Sequence, residues 1–227
     1  PGSWEPWSLL RSGFPPPGIA WLRLFAQLGS DPGNESWKEL WGAAQCELGG
    51  QPGITAAAIV LDDWILPNLE ASGFQFHQQI VMLECNQREP TDGSIRNGFS
   101  IRPMFTYDLQ AVTDVDASAF DLLWQNSHPA LSNAYRQAML ASVVELNGEV
   151  VAYQISTRSA LGIHLARLAV RPGLQGRGVG QALVEDLIRQ AARRGIHHLT
   201  VNTQNDNAAS LALYKKIGFS ETGTRYP

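Results

Sequence analysis

The sequence is poor in cysteine and contains no long apolar run, and each shortage excludes a class of protein. Its 227 residues include two cysteines, Cys46 and Cys85, without the spacing of metal ligands or of a disulfide framework. We therefore expect reduced thiols in a cytoplasmic protein and no metal site. No stretch reaches the roughly 18 to 20 apolar residues that a membrane-spanning helix requires, so no membrane partner is expected.

An excess of basic residues is also missing. The chain carries 17 Lys and Arg against 21 Asp and Glu, a net charge of −4, whereas a surface that binds nucleic-acid phosphates is normally basic. We expect no nucleic-acid partner, and oligomerisation stays open. The opening stretch PGSWEPWSLL lacks the basic region of a signal peptide, although a removed segment before Pro1 stays open. With 44% hydrophobic residues, the chain can bury the core of one large or two small domains.

A glycine-rich turn between an apolar strand and an amphipathic helix is the most informative feature present. IHLARLAV at 163–170 predicts a buried strand that ends before Arg171-Pro172. Apolar residues recur at helical spacing from Val179, and Arg193-Arg194-Gly195 is typical of a helix end. Between the two elements, QGRGVG at 175–180 lets backbone N–H groups converge at a helix N-terminus, which favours an anion such as a pyrophosphate.

By itself the turn has an alternative interpretation, because glycines also allow a strand to pack tightly on a helix. It lacks the Lys-Ser/Thr of a P-loop. The dinucleotide fingerprint G-x-G-x-x-G does not match either, since Gly176, Gly178 and Gly180 alternate and no acidic residue follows at the required distance.

A second strand and helix follow the turn. HHLTVNT at 197–203 predicts a buried strand, and QNDNAASLALYKKIGF at 204–219 predicts a capped helix that stops at Gly218. The pattern Q-x-x-G-x-G beginning at Gln175, followed by N-x-x-x-x-x-L-Y-x-x-x-G-F beginning at Asn207, resembles the GNAT superfamily of acetyl-CoA-dependent N-acetyltransferases.

The resemblance covers residues 101 to 227 and implies an α/β fold. Its sheet is mixed and mostly antiparallel, with a splayed central strand pair flanked by helices. A hairpin turned at Asn147-Gly148 fits this fold, and the opening strand, two helices and hairpin are predicted at 101–109, 114–124, 132–140 and 142–157. The family's sheet also has a further strand after the last helix, which another segment or residues beyond Pro227 would supply.

Acetyl-CoA as co-substrate is the next implication of the resemblance. The splayed strand would pair its backbone with the pantetheine arm at Leu168, Ala169 and Val170, and Asn207 would also contact the pantetheine. The pyrophosphate would bind main-chain N–H groups of the turn, whose residues are Gln175, Gly176, Arg177, Gly178, Val179 and Gly180.

The resemblance further implies that an amine attacks the thioester directly in a ternary complex, with Tyr214 beside the sulfur. A phenol with an ordinary pKa of about 10 suits a proton donor to the departing thiolate. A phenol at the edge of the core is the structural alternative.

The family's pattern offers two positions for the general base, and in this chain only the second carries a residue that can accept a proton at neutral pH. Relatives that acetylate protein N-termini often carry Glu twelve residues before the tyrosine, where this chain has Asn202. Six residues before Val170, histone-type relatives carry Glu and arylalkylamine-type relatives His, and here that residue is His164. An imidazole with a pKa of about 6.5 can accept the proton directly or through water. Alternation along the strand would place His164 on the face of Ala166 and Leu168; a structural histidine, or water ordered by Asn202, is the alternative.

In related proteins the two predicted helices wall the acceptor site. Candidate acceptor contacts are Phe120, Trp124 and Tyr135, although aromatic residues at helical spacing are also typical of a core.

A faint internal repeat occupies the first hundred residues. Residues 53–83 parallel 195–223, each with Gly-Ile, an apolar strand, a helix and Gly-Phe; segments 18–27 and 36–48 match the splayed strand and the helix after it. The repeat lacks the glycine motif, carries acidic Asp31 and Glu35 where phosphates would lie, and has Leu69 or a nearby apolar residue in place of the tyrosine.

The sequence thus predicts two parts joined by a polar linker at 85–94. Residues 1–95 are predicted to form a degenerate GNAT-like half without a cofactor site, with an unrelated α/β domain as the alternative. Residues 96–227 are predicted to form the catalytic domain. The predicted function is N-acetylation of a primary amine in a small molecule or a peptide. A silent acyl-CoA sensor that lost its base is the alternative, which the retention of both Tyr214 and His164 disfavours.

Overall fold

The computed structural model describes residues 18–22, 35–48, 53–86 and 98–227. The strands in these ranges are β1 (Ile19–Leu22), β2 (Thr55–Ala58), β3 (Ile80–Asn86), β4 (Phe99–Pro103), β5 (Leu140–Leu146), β6 (Glu149–Arg158), β7 (Ile163–Val170), β8 (His198–Gln204) and β9 (Ser220–Tyr226). The α-helices are α1 (Glu35–Leu48), α2 (Leu66–Ala71), α3 (Leu109–Ala119), α4 (His128–Arg136), α5 (Val179–Ala192) and α6 (Ala208–Ile217).

The main sheet has seven strands in the order β4-β5-β6-β7-β8-β3-β9. Neighbours pair antiparallel except β7 and β8, which are parallel. Asn147 and Gly148 turn the β5–β6 hairpin with φ angles of 53° and 82°, the left-handed values that an Asn-Gly hairpin turn requires. The predicted mixed, mostly antiparallel sheet and its hairpin are confirmed.

The parallel pair β7–β8 splays apart along its length. The two strands pair from Ile163 opposite Leu199 only as far as Leu165 opposite Val201, although β7 continues beside β6 to Val170. Because the strands diverge after this short ladder, the sheet opens into a cleft on the C-terminal side of the pairing. The splayed central pair predicted from the resemblance is confirmed.

Helices cover both faces of the sheet and build separate parts of the core. One face packs α5 and α6 against strand residues such as Leu165, Leu199 and Leu83. The other face packs α3 and α4 against residues such as Tyr153 and Ala169. Side chains on the two faces of β7 therefore meet different helices.

Helices α3 and α4 begin about one turn earlier than the sequence predicted. The expected spans were 114–124 and 132–140, and Trp124 lies instead in a short 3-10 helix at Leu122–Trp124. The Ser127 side chain accepts the Ala130 N–H and caps α4, and the Asp108 carboxylate accepts the Phe105 N–H just before α3. These local caps set the starts, and apolar spacing alone does not reveal them.

Strand β3 comes from the N-terminal side of the chain and lies between β8 and β9. Its register with β8 runs from Ile80 opposite Gln204 to Asn86 opposite His198, and it pairs with β9 on its other edge. Residues 80–86 thus complete the same sheet as residues 98–227. A cut between residues 95 and 96 would leave β3 on the N-terminal piece and most of its hydrogen-bond partners on the other.

The N-terminal elements follow the order of the C-terminal ones. Strands β1 and β2 pair in parallel, and the succession β1-α1-β2-α2-β3 matches β7-α5-β8-α6-β9. Leu69 on α2 is buried with Trp37, and Glu35 at the start of α1 pairs with Lys38 at 2.8 Å. Asp31 lies outside the described residues.

Cys46 is exposed on α1, and Cys85 is buried in β3. Within the described ranges, no helix has the length and apolar character needed to cross a membrane.

We predict that Leu83→Ala lowers the free energy of unfolding of the whole chain by about 2–5 kcal/mol, because Leu83 in β3 is fully buried and truncation leaves a cavity in the core. Urea unfolding followed by circular dichroism measures this change. Phe76→Ala, at a side chain that is 69% exposed, is the control. Equal unfolding free energies for Leu83→Ala and the control would contradict the role of β3 in this sheet.

Candidate active site

A cavity of about 820 Å³ lies where β7 and β8 diverge. Its lining combines the separated parts of both strands with α6, the α3–α4 connection and the N-terminal strand β1. The sequence-predicted residues that line it are Leu168, Asn202, Asn207, Tyr214, Phe120 and Trp124. Residues from the two splayed strands, from the second predicted motif and from the predicted acceptor wall therefore share one space.

Tyr214 presents a buried phenol to this cavity from α6. The residue is 4% exposed, and its ring lies 5.6 Å from the ring of Phe219. Burial raises the pKa of the Tyr214 hydroxyl, so it stays protonated at neutral pH. Among the residues that the structure describes, none accepts a hydrogen bond from it, which leaves the proton available to a ligand.

Asn207 both caps α6 and faces the cavity. Its side-chain oxygen accepts the Ser210 N–H at 3.0 Å, which fixes the orientation of the amide group. The amide nitrogen is left as a donor beside the opening between β7 and β8.

The glycine turn has the geometry of an anion site. Gly176 and Gly178 have φ angles of 73° and 82°, values that side chains other than glycine adopt with strain. Gly178 is the N-cap of α5, and the N–H groups of the first helical turn have no partner within the helix. The Gln175 amide donates to the Val170 carbonyl at 3.0 Å and ties the turn to the end of β7. The turn fits a pyrophosphate.

Gly180 allows close packing between elements, which is the alternative interpretation of the glycine turn. A Cβ atom at this position would lie 3.4 Å from the Leu213 side chain and 3.7 Å from that of Val170. The third glycine thus brings α5 against α6 and β7, whereas the first two shape the turn.

A β-bulge changes which side chains of β7 share a face. Leu165 pairs with Ser156 and Arg167 with Ile155, so Ala166 is an extra residue. Leu168 consequently packs toward α5, as Leu165 does. The expectation that His164 shares a face with Leu168 is wrong, because the extra residue reverses the alternation.

His164 lies beside the cavity and is not part of its described lining. Its Nδ1 atom is 2.9 Å from the Thr200 hydroxyl. Burial lowers the pKa of His164, and a hydrogen bond with the Asn202 side chain offsets part of this shift. The imidazole is therefore neutral at pH 7, and Asn202, which is exposed, connects it to the cavity.

The remaining predicted residues of the strand and turn are not among the described residues that line the cavity. Ala169 is buried against the α3–α4 layer, and Val170 packs toward α5. Arg177 is exposed on the turn, and Val179 is buried as the first residue of α5. Tyr135 points elsewhere, since its hydroxyl donates to the Met104 carbonyl at 3.1 Å.

Sequence reasoning missed a buried ion pair behind the cavity. Asp116 on α3 is 0% exposed and accepts two hydrogen bonds from Arg167 on β7, at 2.7 and 2.9 Å. It also accepts the Tyr153 hydroxyl and the Asn126 N–H. The signal available in the sequence was an acidic residue at apolar helical spacing, next to Val112 and Val115 on α3.

The Arg167 guanidinium links this ion pair to the cavity wall. It donates to the Trp124 carbonyl at 2.6 Å and lies 3.6 Å above the centre of the Phe120 ring. The positions of two of the three predicted acceptor-wall aromatics, Phe120 and Trp124, therefore depend on β7.

Trp21 of β1 was also missed. Its indole N–H donates to the Leu123 carbonyl at 3.2 Å, and its ring lies 5.1 Å from that of Trp124. A residue outside the resemblance thus contributes to the site.

Comparison with known proteins agrees with this geometry. The profile of the acetyltransferase (GNAT) family matches residues 109–219. The [ribosomal protein bS18]-alanine N-acetyltransferase of Escherichia coli (strain K12) is 30% identical over 126 residues, 56% of this chain and 84% of that protein. The mycothiol acetyltransferase of Amycolatopsis mediterranei (strain U-32) is 31% identical over 58% of this chain, which spans 50% of its length.

A solved structure extends the likeness of the fold to the N-terminal elements. The GCN5-related N-acetyltransferase from Sphaerobacter thermophilus superposes with a TM-score of 0.64 over 86% of this chain and 66% of its own, at 18% identity. At this identity the likeness concerns the fold alone.

We predict that Asp116→Ala lowers the free energy of unfolding by about 3–5 kcal/mol, because it leaves the buried Arg167 guanidinium without its partner. The double variant Asp116→Ala/Arg167→Met should recover part of this loss, since it removes the unpaired charge. Urea unfolding measures both changes. The exposed pair of Arg171 and Glu149, 3.1 Å apart, provides the control, and Glu149→Ala should cost at most about 1 kcal/mol. A loss of that size in Asp116→Ala would contradict the prediction.

Proposed function

The chain belongs to the GNAT family of acetyltransferases, and we propose that it transfers the acetyl group of acetyl-CoA to the primary amine of a small molecule or a peptide. The main support is the protonated Tyr214 hydroxyl, which has no acceptor among the described residues and faces the cavity between the splayed strands.

The co-substrate acetyl-CoA is assigned to the cleft and the glycine turn. The N–H groups that begin α5 would hold the pyrophosphate, with Arg177 exposed beside them. The β7 backbone at Leu168–Val170, which β8 does not pair, would bind the pantetheine arm together with the Asn207 amide. The thioester would then lie near Tyr214.

Transfer requires an uncharged amine nitrogen and a protonated leaving thiol. The nitrogen attacks the carbonyl carbon of the thioester, the new C–N bond forms, and the C–S bond breaks. Tyr214 donates its proton to the departing sulfur, on which negative charge develops as the C–S bond breaks. The proton lost by the amine goes to a base, and exchange with solvent returns a proton to Tyr214.

We assign the role of base to His164, acting through a water molecule ordered by Asn202. The support is its lowered pKa and its hydrogen-bond neighbours Thr200 and Asn202. Both neighbours can accept a hydrogen bond from the imidazolium, so the ring can take up a proton despite its burial. Asn202 itself cannot accept the proton.

The relatives indicate that the acceptor is an amine, but they differ in the kind of molecule that carries it. One acts on the alanine of a ribosomal protein and another is named for mycothiol, so peptide and small-molecule amines are both consistent with the family. We place the acetyl-CoA site and the proton-transfer groups in residues 96–227 and treat residues 1–95 as a half without a cofactor site that adds to the cavity wall. We also propose a cytoplasmic location.

One acetyl-CoA should bind per chain, and Gly178→Glu should weaken that binding at least tenfold, because a carboxylate would enter the phosphate site. Gly178→Ala is the matched control, since it introduces the same backbone strain at φ 82° without the charge. Arg177→Ala should have a smaller effect than Gly178→Glu. Isothermal titration calorimetry measures affinity and stoichiometry; two sites per chain, or normal binding by folded Gly178→Glu, would contradict the assignment.

The pH dependence of kcat/KM tests the base. Since burial holds the pKa of His164 below its ordinary value of 6.5, kcat/KM should fall as the pH falls through that lower pKa, where the ring becomes protonated. His164→Ala should remove this acidic limb and slow turnover by about 10² to 10⁴, with little change in acetyl-CoA affinity. The measurement is a pH–rate profile with an acetylated amine.

Tyr214→Phe is the companion variant for this profile. It should slow turnover at every pH and keep the acidic limb, because it removes the donor and leaves His164 in place. An unchanged limb in His164→Ala would show that the base is elsewhere. If no amine is acetylated although acetyl-CoA binds normally, the alternative function, a catalytically silent acyl-CoA sensor, would be favoured.

A further inference from the structure

The N-terminal elements build one wall of the cavity. Strand β1 and the segment after β2 contribute four apolar residues to the lining, namely Trp21, Leu22, Ile59 and Leu61. Met82 and Ile80 of β3 continue this wall. Residues outside the matched profile, which covers 109–219, therefore form much of the apolar surface.

Two hydrogen bonds hold this wall in place at widely separated points. The Trp21 indole donates to the Leu123 carbonyl at 3.2 Å, and the Val60 N–H donates to the Pro227 carbonyl at 2.9 Å. The first bond ties β1 to the α3–α4 connection, and the second ties the segment after β2 to the end of β9. The wall is thus part of the folded site.

The β8 and α6 side of the described lining is mostly polar, whereas two tryptophans lie together on another wall, to which Gln125 and Asn126 of the α3–α4 connection also contribute. Asn202, Thr203, Gln204, Asn207 and Ser210 come from β8 and the start of α6, whereas Trp21 and Trp124 stand together on β1 and the α3–α4 connection. The reacting amine belongs near Tyr214, on the α6 side. The rest of an acceptor would then rest on the paired tryptophans.

The described lining carries almost no charge. Arg167 is its one charged side chain, and the buried Asp116 neutralises it. Among the described lining residues, none is an Asp or a Glu. A second ammonium group on the acceptor would lose part of its hydration here and would meet no carboxylate among the described lining residues, which is unfavourable.

We propose that the acceptor is a monoamine with an apolar body of about aromatic size, and that Trp21 is a specificity-determining residue that binds this body. This proposal rests on the function proposed above. The cavity of about 820 Å³ also has to hold the thioester end of acetyl-CoA, so the acceptor would occupy only the part of it beside Trp21 and Trp124. Polyamines and other multiply charged amines should be poor acceptors.

Steady-state kinetics with two probe amines test the proposal. The full chain should show a kcat/KM for 2-phenylethylamine at least about tenfold above that for spermidine. Trp21→Ala should raise KM for 2-phenylethylamine by about tenfold, with kcat and acetyl-CoA affinity nearly unchanged, because tryptophans that line a binding site contribute heavily to affinity. Trp21→Phe should retain most of the affinity, since it keeps an aromatic ring.

Phe76→Ala is the matched control, an aromatic truncation in the N-terminal part at an exposed side chain outside the cavity lining. A second variant, Leu61→Glu, tests the charge argument without truncating the wall, because Leu61 lines the cavity and is 66% exposed. The added carboxylate should shift the kcat/KM ratio toward spermidine by several fold.

Calorimetric titration of 2-phenylethylamine into the CoA-bound protein separates this proposal from the proposed function. Binding that Trp21→Ala weakens, without acetyl transfer, would overturn the function and support the acceptor class. Turnover that prefers spermidine, or a KM that Trp21→Ala leaves unchanged, would overturn the acceptor class and support the function. Absence of both binding and turnover would overturn both.

Discussion

The site depends on the short parallel ladder between β7 and β8. Pairing stops at Leu165 opposite Val201, and the strands then separate around a space that holds no backbone ladder. An unpaired strand edge inside a sheet has donors and acceptors that need partners, and the pantetheine arm is the proposed partner. The bulge at Ala166 lies at the same point. It directs Arg167 toward α3 and Leu168 toward α5, so one irregular residue sets both walls of the opening.

Burial shifts the pKa values of the two proposed proton-transfer groups, His164 and Tyr214, in opposite directions. It lowers the pKa of His164 and raises that of Tyr214, because a desolvated site disfavours the charged form of each group. Both are therefore uncharged at neutral pH, one able to accept a proton and the other to donate one. The nearby buried ion pair of Asp116 and Arg167 keeps its charges satisfied by each other and by hydrogen bonds, which leaves the cavity nearly neutral.

The N-terminal part shares the element order of the C-terminal part but contributes in another way. Its strand β3 completes the main sheet beside β8, and Trp21 on β1 packs against Trp124. Leu69 stands buried at the position where the repeat would have its tyrosine. We infer that the repeat serves as support and acceptor wall for the single site, which explains why its apolar residues face the cavity although its glycine motif is missing.

The sequence by itself determined the local elements around the two motifs. The β7 span, the α5 helix, the Asn147-Gly148 hairpin and the Gly218 stop follow from side-chain periodicity and from glycine conformations, which act over a few residues. The tertiary structure alone decided the placement of β3, the bulge at Ala166, the Asp116–Arg167 pair and the contact of Trp21 with Trp124. These depend on residues far apart in the chain, whose pairing is set by packing and by the satisfaction of buried charge, and no local pattern records such distant contacts.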